Sequence, residues 1–362
     1  MKFIPQYEPL IKKEYADAVH AQIMSGWIGP GERVEELEAK ICAITGAKHC
    51  VATTSGTAAL FLALKALESN SSNISIFPDY TFIAGANAAR LIGHNVNLID
   101  IKEDTLCIDP NILEKILEED NKTFKFSNPN INSVIYVNHN GYVGRDRYDV
   151  QKHCEKYAVP MIEDSSQALG MYDKNKIHAG RIGTFGIFSF SVPKIVTAGQ
   201  GGCLITDSYI YSTLCRRLRD HGDNWKKTKV HKYLGANFKF NDILASFVLS
   251  QLNILDELLE IRKQVFNWYR EHIELVDFGM DSTWMVLFRT QKADPIINAL
   301  KAEQIQAVKY YNPIHTNLPY SFSDAHFPVA NKVAEEIVYL PSSLTLTHED
   351  VKRICQVIKD CE

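Results

Sequence analysis

The sequence lacks several features that would assign it to particular classes of protein. No apolar run is long enough to cross a membrane, and residues 1–9 lack the apolar core of a signal peptide. Positive charge is not in excess, because 39 lysines and arginines face 43 aspartates and glutamates and leave a net charge of −4. A nucleic-acid-binding surface is therefore not indicated, and we expect a cytoplasmic protein that works away from membranes.

Clustered cysteines and nucleotide-binding glycine loops are also missing. The eight cysteines are scattered along the chain and none form a Cys-x-x-Cys pair, so we expect reduced thiols, no disulfide framework and no metal site. No Gly-Lys-Ser/Thr loop and no Gly-x-Gly-x-x-Gly follows a strand pattern; the spacing within Gly180–Gly186 is Gly-x-x-Gly-x-x-Gly. These absences count against a P-loop protein and against a nucleotide-sugar dehydrogenase or epimerase.

The chain alternates between strand and helix patterns over its first two thirds. A chain of 362 residues is longer than a domain with one minimal hydrophobic core requires. Short apolar runs separated by helical patterns predict an α/β fold with a large, mostly parallel sheet covered on both faces. The predicted strands are His49–Thr53, Ile74–Phe77, Val96–Ile99, Val134–Asn138, Pro160–Glu163, Gly186–Phe190 and Cys203–Thr206. The predicted helices are Arg33–Thr45, Thr57–Leu67, Thr81–Leu91, Asp149–Tyr157 and Ser212–Asp220, and Asn121–Asn132 is predicted to be an exposed loop.

The last third of the chain predicts a connecting helix and a smaller α/β domain. From Asn241 to about Ile273 the apolar residues recur every three to four positions, which indicates one long helix. We therefore divide the chain into a large domain at 1–240, a connecting helix at 241–274 and a small domain at 275–362. The small domain is predicted to hold a strand at Trp284–Arg289, a helix at Pro295–Glu303 and two terminal helices, the last one capped by Thr347 and Asp350.

Three residues in the large domain have the chemistry that pyridoxal phosphate requires of a protein. Asp164 ends a predicted strand, where open α/β sheets place their ligands, and Gln167 follows it closely. Lys194 lies among apolar residues before the glycine-rich turn Gly199-Gln-Gly-Gly202, and desolvation lowers the pKa of a lysine. A lysine for the Schiff base and a carboxylate for the pyridine nitrogen together indicate this cofactor, although each residue alone is more often a turn or surface residue.

A possible phosphate site precedes the helix after the first predicted strand. In Thr54-Ser-Gly-Thr57, Ser55 suits a helix N-cap, and Gly56 allows a ligand to approach the backbone. Free amides at a helix N-terminus bind phosphate, but such a tripeptide is more often only a cap.

Taken in order, these motifs resemble the DegT/DnrJ/EryC1/StrS family of pyridoxal phosphate-dependent sugar aminotransferases over nearly the whole length. The motifs are Ser25-Gly-Trp-Ile-Gly-Pro-Gly31, Ser55-Gly-Thr-Ala-Ala-Leu60, Pro78-Asp-Tyr-Thr-Phe82, Glu163-Asp-Ser-Ser-Gln-Ala168, Phe188-Ser-Phe190, Lys194, Gly199-Gln-Gly-Gly202, Arg219-Asp-His-Gly222, Gly235-Ala-Asn-Phe-Lys239 and Tyr339-Leu-Pro-Ser-Ser-Leu344. The resemblance implies the fold type I architecture of the aspartate aminotransferases.

The resemblance also implies roles for single residues around the cofactor ring. Lys194 would form the Schiff base, and Asp164 would form a salt bridge with the pyridine nitrogen. Gln167 would contact the ring hydroxyl, and Phe82 would stack on the ring.

Four more residues would hold the cofactor's phosphate. Gly56, Thr57 and Ser189 would bind it from the same chain. Asn237 would reach it from a second subunit, which implies a homodimer with shared active sites.

The implied reaction moves an amino group from L-glutamate to a nucleotide-linked keto-deoxysugar, for a surface glycan or O-antigen or for a glycosylated natural product. A 4-keto-6-deoxyhexose is our first expectation and a 3-keto sugar the second. Tyr311 and His315 are candidates for the sugar site.

Three motifs depart from the family pattern. Gln200 stands where the family usually has an acidic residue in the glycine-rich turn. Asp164-Ser-Ser-Gln167 stands where the family usually has Asp-x-Ala-Gln. Asn138-His-Asn-Gly141 stands where the family commonly has His-Leu-Tyr-Gly, so the resemblance does not determine the shape of the substrate pocket. Two alternatives within the fold are a sugar dehydratase and a non-catalytic regulatory homologue, but the first would replace Lys194 with histidine and the second would lose Lys194 or Asp164.

Overall fold

The computed structural model describes residues 2–68, 73–123, 131–222, 230–321 and 326–362. The helices are α1 (Lys13–Met24), α2 (Glu32–Thr45), α3 (Gly56–Leu67), α4 (Ala84–Leu91), α5 (Pro110–Thr123), α6 (Asp146–Lys156), α7 (Tyr209–Arg219), α8 (Asp242–Leu252), α9 (Leu255–Arg270), α10 (Ala293–Ala302), α11 (Pro328–Glu336) and α12 (His348–Cys361). The strands are β1 (His49–Thr53), β2 (Ile74–Pro78), β3 (Asn95–Ile99), β4 (Ile131–Val137), β5 (Met161–Asp164), β6 (Phe185–Ser189), β7 (Gly202–Thr206), β8 (Leu287–Arg289) and β9 (Ile337–Tyr339).

A seven-stranded sheet in the order β1-β7-β6-β5-β4-β2-β3 forms the centre of the molecule. Strand β7 is antiparallel to both of its neighbours, and the remaining pairs are parallel. All seven predicted strands are present. Because β1, β4, β5 and β6 point the same way, their carboxyl ends meet at one edge of the sheet, where β7 begins.

Helices cover both faces of this sheet, as the apolar strand runs predict. Leu60 and Leu62 of α3 belong to a buried cluster on one face, and Leu37 of α2 and Val248 of α8 belong to another. The α/β fold class with a mostly parallel sheet is confirmed.

The C-terminal part of the chain has an apolar core of its own around the β8-β9 pair. Val286, Ile296, Val351 and Ile358 are completely buried in it. The predicted capping box is present at the start of α12, where Thr347 and Asp350 bond reciprocally. The domain boundaries at 240 and 275 stay a prediction.

The single helix predicted at 241–274 is wrong, because the chain forms two helices there. Asn241 caps α8 by accepting from the amide of Leu244. Ile254 then leaves the helical region at φ −123° and ψ 26°, and α9 starts one residue later. The apolar spacing continues through this break because Leu252 of α8 and Leu255 and Leu258 of α9 lie in the same buried cluster.

Two further helices were not predicted, α1 and α5. Helix α5 extends to Thr123 and β4 starts at Ile131, so the predicted loop Asn121–Asn132 is helical at its start and a strand at its end. Its central residues, 124–130, lie outside the described part of the chain. No helix among the described residues is long and apolar enough to span a membrane.

Candidate active site

The carboxyl edge of the sheet brings together Gly56 and Ser189, two of the predicted phosphate residues. A Cβ atom on Gly56 would lie 3.1 Å from the Cβ of Ser189 and 3.4 Å from its Oγ. A Cβ atom on Gly202 would lie 2.4 Å from the backbone nitrogen of Gly56. The end of β6, the start of β7 and the start of α3 are therefore in direct contact, and only glycine fits at Gly202.

The start of α3 presents amide groups to this edge. Ser55 caps the helix by accepting from the amide of Ala58 at 3.0 Å. Within the described part of the chain, the amides of Gly56 and Thr57 have no hydrogen-bond partner. Two free amides at a helix N-terminus, with the Ser189 hydroxyl beside them, are an arrangement suited to an anion.

The two titratable groups predicted for the chemistry, Asp164 and Lys194, are close enough to affect each other's charge. Burial raises the pKa of Asp164, against hydrogen bonds from Ser166 and the attraction of Lys194. Burial also lowers the pKa of Lys194 to about 8, and the charge of Asp164 opposes this shift. Lys194 therefore loses its proton far more easily than an ordinary lysine, as expected of a nucleophile and proton carrier.

Gln167 is buried and held at both ends of its amide. Its Oε1 accepts from the backbone amide of Asn140, and its Nε2 donates to the hydroxyl of Tyr311 at 3.0 Å. Tyr311 is itself buried among aromatic rings, with the Phe82 ring centroid at 6.4 Å. The structure thus places Gln167, Tyr311 and Phe82 along one side of the site.

Phe82 has 59% of its surface exposed although it is large and apolar. The segment that carries it is fixed by a buried pair, in which His315 donates its backbone amide to Asp79 Oδ1 at 2.9 Å and places Nδ1 2.6 Å from Oδ2. The side chain of His315 is buried and bonded to this segment through Asp79.

Asn237 lies on the surface, next to the segment that approaches α3. Its Oδ1 accepts from the amide of Lys239 at 3.3 Å, and the following carbonyl, of Phe238, accepts from the amide of Thr54 at 3.1 Å. None of its described hydrogen bonds reaches Gly56 or Ser189 of the same chain.

Behind the end of β5, a buried charge network holds the carboxylate in place. Glu163 precedes Asp164 and accepts from Arg147 at 3.3 Å and from Asn138 at 3.2 Å. Arg147 also donates to Asp173 at 2.7 Å, and both partners of this second pair are almost completely buried. Each charge is paired, as burial requires.

Three residues around Lys194 were not predicted as site residues. The Nζ of Lys194 lies 4.1 Å from the ring centroid of Trp284, whose Nε1 donates to the carbonyl of Pro193 at 2.7 Å. The hydroxyl of Tyr7 donates to the carbonyl of Lys194 at 2.9 Å. Buried Arg262 donates to the carbonyl of Trp284 and interacts with the hydroxyl of Tyr7. No local pattern in the sequence links these residues to Lys194.

Comparison with known proteins gives consistent results over nearly the whole chain. The sequence pattern described as the DegT/DnrJ/EryC1/StrS aminotransferase family matches residues 9–359. EpsN of Bacillus subtilis (strain 168), whose name assigns it provisionally to the pyridoxal phosphate-dependent aminotransferases, is 30% identical in an alignment of 353 residues that covers 92% of this chain and 89% of EpsN.

Solved structures share the fold. The Helicobacter pylori aminotransferase PseC, described as involved in the biosynthesis of pseudoaminic acid, superposes with a TM-score of 0.90 at 25% identity and covers 99% of each chain. DesI, solved in the presence of its TDP-sugar product, superposes with a TM-score of 0.86 at 24% identity, over 99% of this chain and 92% of DesI.

Proposed function

The chain belongs to the DegT/DnrJ/EryC1/StrS aminotransferase family, and on that premise we propose that it moves the amino group of L-glutamate to a nucleotide-linked keto-deoxysugar. The enzyme is a pyridoxal phosphate-dependent sugar aminotransferase. The observation that carries the proposal is the Lys194–Asp164 pair beside the helix amides of Gly56 and Thr57.

The described residues fit the cofactor. The helix amides and the Ser189 hydroxyl suit its phosphate, and a Cβ on Gly56 would lie 3.4 Å from that hydroxyl, so the lack of a side chain there keeps the two donors close together. Asp164 would hold the positive pyridine nitrogen, Gln167 would contact the ring hydroxyl, and Phe82 is an exposed ring suited to stacking. When bound, the cofactor takes up the amino group and delocalises the electron pair left at the donor carbon.

The chain's own residues supply proton transfer and orientation. The amine of Lys194, with a pKa of about 8, can accept and return a proton at Nζ near neutral pH. Asp164 would stabilise the positive charge on the pyridine nitrogen of the bound cofactor during this transfer. Glu163 and Arg147 keep the end of β5 from moving.

For the acceptor, we propose a 4-keto-6-deoxyhexose first and a 3-keto sugar second, within a pathway for a surface glycan or O-antigen. DesI was solved with a TDP-sugar product, and PseC is involved in the biosynthesis of pseudoaminic acid, which supports this class of substrate. Tyr311, next to Gln167, would face the sugar. His315 would act through Asp79, by fixing the wall that carries Phe82.

We also propose a cytoplasmic homodimer in which Asn237 reaches the phosphate of the partner subunit. Large apolar side chains are exposed in the single chain, with 59% of Phe82, 76% of Trp27 and 87% of Leu234 accessible. Leu234 and Asn237 lie on one surface segment, so a partner that covers Leu234 would also bring Asn237 to a second site.

The test is the absorbance spectrum of the purified protein with pyridoxal phosphate, before and after addition of L-glutamate alone. Conversion of the lysine-bound cofactor band to the aminated cofactor band is expected, and keto-sugar nucleotides would then be screened as acceptors. A lysine-bound band that glutamate leaves unchanged would contradict glutamate as donor. The absence of a lysine-bound band would contradict the enzymatic proposal itself.

A further inference from the structure

The indole ring of Trp284 lies directly against the amine that carries the chemistry. The Nζ of Lys194 is 4.1 Å from the ring centroid, and only 3% of the surface of Trp284 is exposed to solvent. A lysine has a flexible four-carbon stem, so its amine needs an external surface to hold one position. The face of an indole is the aromatic surface that attracts an ammonium most strongly, and more so where water is excluded.

Trp284 is fixed by hydrogen bonds at three separate points. Its ring nitrogen donates to the carbonyl of Pro193 at 2.7 Å, so it also holds the backbone next to Lys194. Its backbone amide donates to the carbonyl of Asn140 at 2.7 Å, and its carbonyl accepts from buried Arg262. The ring therefore cannot turn away from Lys194 without breaking the bond from its nitrogen to Pro193, and the two backbone bonds fix the position from which the ring extends.

Asn140 joins this arrangement to the opposite side of the site. Its side chain accepts from the amide of Met285 at 2.9 Å and donates to the carbonyl of Met285 at 2.8 Å and to the Thr283 hydroxyl at 3.0 Å. Its backbone amide donates to Gln167 Oε1. Asn140 adopts a left-handed backbone with φ of 52°, which asparagine tolerates well. It belongs to the segment Asn138-His-Asn-Gly141, where the motif departs from the family pattern.

We propose that Trp284 is a positioning residue that holds the free amine of Lys194 over its indole face, and that Asn140 fixes Trp284 and Gln167 relative to each other. The role assumes the proposed function, since a held amine matters only if Lys194 carries and returns protons. The ring favours the ammonium form and so opposes the loss of proton that burial causes.

The test measures the protonation of Lys194 itself. Full-length protein purified without added cofactor is exposed to trace acetic anhydride at a series of pH values, and acetylation of the peptide that contains Lys194 is quantified by mass spectrometry. Lys194 is partly exposed, so a small reagent can reach it. Trp284→Leu removes the ring and Trp284→Phe retains an aromatic face. The control is Trp268→Leu, a tryptophan of α9 that is partly buried against the C-terminal apolar core.

We expect the titration midpoint of Lys194 to fall by about one pH unit in Trp284→Leu, a tenfold change in its protonation equilibrium. Trp284→Phe should recover most of the shift, and Trp268→Leu should not change the midpoint. An unchanged or raised midpoint in Trp284→Leu would overturn the proposal, as would equal midpoints in the leucine and phenylalanine variants.

Two additions keep the result decisive. Asn140→Gly removes the side-chain hydrogen bonds of Asn140, and glycine accepts the left-handed backbone at this position. If Trp284→Leu does not fold, the same downward shift of the Lys194 midpoint is expected in Asn140→Gly. The absence of that shift counts against the proposal. Pyridoxal phosphate should protect Lys194 from acetylation in the unaltered protein. Failure of protection would contradict the proposed function, whereas protection without a Trp284 effect would contradict only the positioning role.

Discussion

Gly202→Ala tests the close approach of β7 to the start of α3. A Cβ atom there would lie 2.4 Å from the nitrogen and 2.7 Å from the Cα of Gly56, and 2.6 Å from the carbonyl carbon of Ser55. All three are backbone atoms, so no side-chain rotation relieves the clash. An ordinary contact of about 3.4 Å requires the strand and the helix start to separate by roughly 1 Å.

This separation has two expected costs. Overpacking of this kind destabilises a folded protein by about 1–3 kcal/mol. It also moves the amides of Gly56 and Thr57, and a hydrogen bond to a charged group contributes about 1.5–3 kcal/mol. Losing one such bond corresponds to roughly tenfold to hundredfold weaker binding of pyridoxal phosphate.

The assay is a pair of titrations on Gly202→Ala and on Gly29→Ala, the matched control. A Cβ on Gly29 meets nothing within 4 Å, so the same substitution should be silent there. Cofactor affinity is followed by fluorescence and stability by urea unfolding. If Gly202→Ala binds the cofactor and unfolds like the control, the argument from close approach is refuted.

The remaining predictions concern the reacting groups and the subunit contact. Lys194→Ala should abolish transamination and still bind the cofactor non-covalently, as measured by activity and by retention through dialysis; full activity would exclude Lys194 as the reacting amine. Asp164→Asn should lower the rate by several orders of magnitude. It should also move the acetylation midpoint of Lys194 below about 8, because the charge that raises the pKa of Lys194 is gone; a near-normal rate would show that the pairing is misassigned. Asn237→Ala should weaken cofactor retention, and mixing it with Lys194→Ala protein should restore some activity; no recovery after subunit exchange would count against a shared site.

The parts of the fold that could be predicted are those with a local signal. The seven sheet strands are apolar runs bounded by turn residues, and all seven are predictable for that reason. The break between α8 and α9 is not, because Asn253 and Ile254 do not interrupt the apolar spacing. Helix α5 is partly assigned to a loop because its C-terminal residues are polar and the following residues are rich in asparagine, lysine and serine.

The same distinction between local and distant signals applies to the candidate site. Asp164 and Lys194 lie in short motifs whose chemistry is visible in the sequence, and the structure brings them together. The contacts of Tyr7, Trp284 and Arg262 depend on how distant segments pack, and neither periodicity nor spacing reports that. Gln167 is assigned to a cofactor hydroxyl from the sequence, but its bonds to Asn140 and Tyr311 can be seen only in three dimensions.

Several contacts around the site join residues that are far apart in the sequence, and this affects how the enzyme folds. Tyr7 meets Lys194 across 187 residues, Asn140 meets Met285 across 145, and Asp79 meets His315 across 236. Contacts that close such long loops carry an entropic cost that only already formed cores can offset. We therefore expect refolding to restore helix and sheet before catalytic competence, so that activity returns more slowly than the far-ultraviolet dichroism.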